Sequence, residues 1–93
     1  MAIMKWVNVD GDKIPLMEKK IRDKIRECED EIQNKKEEKE IKYEALMRSV
    51  EIKSYGDRIT RIGKEMEELE SDIRRLKEKK KMLEYFLNDE LEA

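Results

Sequence analysis

The second half of the chain carries its apolar residues in a strict order. Ile59, Ile62, Met66, Leu69, Ile73, Leu76, Lys80, Leu83 and Leu87 follow one another at alternating spacings of three and four. That alternation, apolar at every position but Lys80, is the a/d seam of a coiled-coil helix, and it predicts a helix over about residues 58–91. An earlier row runs through Met17, Ile21, Ile25, Cys28 and Ile32, then Lys35 and Lys39, and on to Tyr43, Leu46 and Val50. It predicts a first helix over about residues 16–53, with Pro15 suited to its first turn.

Between the two rows lies Ser54-Tyr55-Gly56-Asp57. Glycine can take the left-handed conformation that ends a helix, and Asp57 can cap the next one. Extending the first row past Val50 would put Lys53 and Asp57 on the seam, whereas the second row starts at Ile59. A single continuous helix would lose its stripe there, so a turn at 54–57 is expected. Folding at Gly56 sets the basic block Lys19, Lys20, Arg22, Lys24 and Arg26 against Asp89, Glu90 and Glu92. It also sets Glu27, Glu29, Asp30 and Glu31 against Lys79, Lys80 and Lys81. Facing blocks of opposite sign favour an antiparallel register.

Ahead of the helices the period shortens. Ile3 to Val9 is rich in strand formers, Asp10-Gly11 is a hairpin-turn pair, and Asp12-Lys13-Ile14 reads as a return strand. A lone two-stranded hairpin is marginal in water, so it must pack on something. The expected organisation is an N-terminal cap over 1–15 and a helical hairpin over 16–93. The fold class is all-α: an antiparallel two-helix coiled-coil hairpin with a short N-terminal β-hairpin, dimerising into a four-helix bundle. The dimer is expected because apolar residues remain outside the seam. Ile41, Ala45 and Ile52 form a second row near the turn, and Met82, Tyr85 and Phe86 form a face near the open end. Part of that face could instead be covered by Trp6, Val7 and Val9 folding back.

Composition narrows the chemistry. Charged residues are 49% of the 93, yet 22 basic against 24 acidic residues leave a net of only −2. Histidine is absent, which removes the commonest general base and metal ligand, and the three glycines are too scattered to cradle phosphate. The single Cys28 can form neither an intrachain disulfide nor a cysteine zinc site, and suggests a reducing compartment. On a core row it reads as a small hydrophobe. No enzyme, cofactor or metal is expected, no apolar run is long enough for a membrane span, and a cytoplasmic location is the default.

Two classes of function remain. The first is a homodimeric protein-interaction module: a small regulator, adaptor or inhibitor, of a size that a mobile element or virus could carry. Its candidate contacts are Trp6, Tyr55 and the acidic run Glu65, Glu67, Glu68, Glu70 and Asp72. Tyr55 could equally pack on Ile59 or Ile52. The second is a nucleic-acid-binding regulator using Lys35, Lys36, Lys39, Arg74, Arg75, Lys77, Lys79, Lys80 and Lys81. An acidic pI of 5.4 and the lack of interleaved aromatics argue against that second class. The seam lysines 35, 39 and 80 have a plainer reading too, as long stems covering apolar neighbours.

Overall fold

The computed structural model of the chain describes residues 5–51 and 56–91. Two strands, β1 (Trp6–Val9) and β2 (Asp12–Pro15), precede two long helices, α1 (Glu18–Glu51) and α2 (Asp57–Tyr85), and a π-helical segment, Phe86–Leu91, closes the described chain. The expected helices and N-terminal hairpin are present. Ile3 and Met4 of the expected strand segment, Ile52, Lys53, Ser54 and Tyr55 at and before the expected turn, and Glu92 lie outside the described residues.

Asp10 and Gly11 both have positive φ, 53° and 82°. That is the two-residue primed turn whose twist suits a hairpin, and Asn8 Oδ1 accepts the Gly11 N–H at 3.0 Å. The register pairs Val9 with Asp12, Val7 with Ile14 and Trp6 with Pro15. Pro15 therefore ends β2 and does not open the helix, contrary to expectation. Leu16 N–H donates to the Lys5 carbonyl at 2.7 Å, so Trp6 and Pro15 form a non-hydrogen-bonded pair. The proline's missing donor costs no ladder bond there. The helix opens two residues later, where the Met17 carbonyl accepts the Ile21 N–H.

At the start of α2 the Gly56 carbonyl accepts the Thr60 N–H at 3.2 Å, and Gly56 has φ 86°. Gly56 thus occupies the cap position. Asp57, expected as the cap, is instead the first helical residue, where its charge still favours the positive helix end.

The chain divides into two compact units: Met1–Glu31 with Leu76–Ala93, and Ile32–Arg75. In the first, Val9 and Ile14 of the strands pack with Ile21, Cys28, Leu83 and Leu87 in one core, with Val7, Ile25 and Phe86 against it. Alternation along the strands turns Val7, Val9, Asp12 and Ile14 to that side, and Trp6, Asn8 and Lys13 away from it. The hairpin is held by its inner face. The second unit is a plain helix pair with Ile32, Ser49, Ile62, Leu69 and Ile73 buried.

On α2 every expected seam residue is buried or half-buried. On α1 the row departs from expectation beyond Lys39. Tyr43 and Val50, placed on the seam from sequence, are 53% and 52% exposed, while Lys42 and Ser49 take their places. The expected row needed two consecutive steps of four, which rotates a stripe off its partner. The helix keeps the three-four alternation instead, because the unbroken row on α2 faces it. The polar residues drawn inward are satisfied: Ser49 Oγ donates to the Ala45 carbonyl at 3.0 Å, and Lys42 pairs with Glu65 at 2.6 Å.

Candidate partner-binding surfaces

In an antiparallel helix pair, side chains that directly follow a seam residue emerge on one flank of both helices. Those that directly precede a seam residue emerge on the other. In the first unit the preceding flank carries Lys24 and Lys79, two like charges on neighbouring helices. The β-hairpin covers this flank, and Asp12 on its inner face stands between them. Its Oδ2 lies 3.4 Å from both ammonium groups. Burial would raise the Asp12 carboxyl, but hydrogen bonds and attraction from Lys24 and Lys79 together outweigh it and hold the carboxyl below its ordinary value. Hydrogen bonding to Glu27 and Asp12 raises Lys24 against the opposing effect of burial. Asp12 was not singled out from sequence. Its spacing of two from Ile14, which sets both on one strand face, was the available signal.

The outer face of the hairpin carries Trp6, 57% exposed. Trp6, Val7, Asn8 and Lys13 line a hollow of about 390 Å³. On the following flank of the same unit, Ile25 and Leu87 floor a groove of about 470 Å³ walled by Arg26, Glu29, Lys80 and Glu84 among others. Lys80 spans it, 3.3 Å from Glu29 and 3.8 Å from Glu84. Glu29 with Lys80 is the expected pairing of facing blocks. Within the basic block at 19–26, Arg22 pairs with Glu18, and Lys24 with Asp12 and Glu27; the side chains of Glu90 and Glu92, expected opposite this block, lie outside the described residues. Of the expected dimer residues here, Met82 and Tyr85 are 46% and 56% exposed. Phe86 is half-buried against the core, with its ring edge-to-face on Tyr85 at 5.7 Å.

In the second unit the acidic run meets the seam lysines. Lys35 reaches Asp72 at 3.6 Å, Lys39 reaches Glu70 at 2.7 Å and Lys42 reaches Glu65 at 2.6 Å. Hydrogen bonds from Lys42 and Lys39 hold the Glu65 and Glu70 carboxyls below their ordinary values. Glu67 and Glu68 remain exposed. The seam lysines are thus engaged across the pair. Lys36, Arg74 and Arg75 are exposed in this unit, as are Lys77 and Lys81 in the other. Lys79 is engaged by Asp12. Ile41 is 65% exposed and Ala45 half-buried, while Tyr43, Met47 and Val50 form an exposed row that sequence reading did not foresee. Carrying the three-four alternation onward from Ile32 would have found it.

Cys28 is buried at 3% exposure, and burial pushes its thiol up. Among the described residues no group of three or more acidic or cysteine side chains could hold a metal ion, and no helix is long and apolar enough to cross a membrane. Comparison of the chain with protein-family models, with curated proteins and with solved structures gives no match.

Proposed function

We propose that this chain is a non-enzymatic, homodimeric helical-hairpin module that acts by protein–protein contact, as a regulator, adaptor or inhibitor. The observation that carries the reading is Trp6, more than half exposed beside the hollow it lines with Asn8 and Lys13. The hairpin is anchored by Val7, Val9 and Ile14, so the fold does not need the indole. A large exposed aromatic beside a concavity, with a lysine at its rim, has the character of an interface hot spot. The exposed residues Glu67 and Glu68 offer a second, electrostatic contact for a basic partner.

The nucleic-acid alternative is less favoured. Lys35, Lys39, Lys79 and Lys80 already sit on carboxylates of this chain. Releasing them would cost those pairs before any phosphate contact formed. Affinity purification with the intact protein and with Trp6→Ala separates the two readings. Loss of one specific protein partner in the variant supports the module. Nucleic acid that copurifies with both and washes off in salt supports the alternative.

A further inference from the structure

We infer that the second copy in the dimer docks on the flank of unit Ile32–Arg75 that carries Tyr43, Met47 and Val50, each copy seating this ridge over the other's Gly63 and Thr60. The inference rests on the homodimer reading above and gives that dimer its seam.

The ridge lies on α1. Tyr43, Met47 and Val50 are spaced by four and three, directly follow the seam residues Lys42, Leu46 and Ser49, and are 53%, 44% and 52% exposed. The small residues that answer it lie on α2. Thr60 and Gly63 directly follow the seam residues Ile59 and Ile62, so they emerge on the same flank. A Cβ placed at Gly63 would have nothing within 4 Å, so this copy's own Tyr43 leaves the space empty. The Lys42–Glu65 pair fixes the level: Tyr43 stands beside the turn of α2 that holds Gly63, and Met47 beside Thr60.

Large side chains on one helix and small ones on its neighbour, at the same level and flank, are self-complementary under one operation. A twofold axis in the contact plane, along the helix direction, lays each α1 over the other copy's α2 without changing level. Tyr43 then falls on the other copy's Gly63, and Met47 on its Thr60, twice over. Isologous contacts require this reciprocity. The same flank supplies both the large and the small side chains at matching levels, together with Lys36 opposite Glu70, and this is what fits it to a second copy. Lys36, on the same row as Tyr43, comes to the level of the other copy's Glu70. Glu40 comes near its Glu67, the one like-charged meeting.

Sedimentation equilibrium at micromolar concentration tests this with four proteins: wild type, Gly63→Gln, Met47→Lys and Met82→Lys. All three substituted side chains sit in open or solvent-facing positions, and helical circular dichroism verifies each fold. The expected result is twice the 11.3 kDa chain mass for wild type and Met82→Lys, and the single-chain mass for Gly63→Gln and Met47→Lys. Glu40→Lys, which removes the like-charged meeting, should tighten the dimer several-fold. A wild type at the single-chain mass overturns the homodimer reading and this seam together. A wild-type dimer that survives Gly63→Gln and Met47→Lys, or that Met82→Lys disperses, overturns the seam alone, the latter placing the contact on the Met82 face.

Discussion

Asp12 and Lys79, sixty-seven positions apart in the chain, share a hydrogen bond of 3.4 Å, and the same carboxylate oxygen lies 3.4 Å from Lys24. Two lysines that would repel across a bare helix pair are bridged by one strand residue. The hairpin is therefore tied to the helices by charge as well as by Val9 and Ile14. Asp12→Asn should lower stability by about 1 kcal/mol or less, since all three groups keep partial solvent contact.

The pH dependence of that loss has a definite sign. Asp12 is held below its ordinary value of 3.8, so its contribution is fully present above 3.8 and disappears as pH falls through the depressed value. Melting temperatures of wild type and Asp12→Asn should differ at neutral pH and converge in stronger acid. A gap that persists at the acid end would show that the difference is not electrostatic.

Glu65 and Glu70 should titrate below the ordinary 4.5, each because of the lysine bonded to it. Carbon-detected NMR titration is the measurement. Lys42→Met should return Glu65 toward 4.5 and leave Glu70 in place, and Lys39→Met should do the reverse.

Leu83 is fully buried between the strands and helices of its unit. Leu83→Ala should cost about 2–5 kcal/mol by chemical denaturation, the range for a large-to-small change in a packed core. Cys28 shares that core. Its thiol should react with a disulfide reagent only as fast as the unit opens, and at once in denaturant.

Lys35 pairs with Asp72 at 3.6 Å, the longest of the three seam-lysine pairs in its unit. Lys35→Leu should raise the melting temperature by about 4–8 °C if the apolar seam contact yields 1 kcal/mol more than the pair it replaces. A lower melting temperature would mean that the lysine specifies the register.

Much of this architecture was legible in the residues themselves. The three-four row from Ile59 to Leu87 set the buried side of α2. Asp10-Gly11 set a turn that only positive φ permits, and the break in register at Gly56 separated two helices. These are local properties, fixed by helical period, strand alternation and the steric freedom of glycine. Where the continuation depended on a neighbour, the chain alone misled. Tyr43 and Val50 looked like seam residues because they are apolar, yet the partner helix required an unbroken alternation and put Lys42 and Ser49 there. A lysine beside Glu65 and a serine bonded to Ala45 cost little to bury, so geometry prevailed over hydrophobicity. Asp12 between Lys24 and Lys79 was invisible for the same reason: its role exists only once a strand and two helices meet. The sequence by itself determined the elements and the inner face of α2. Only the tertiary structure decided which polar groups are used inside and which apolar ones are left outside, because that depends on what stands opposite each side chain.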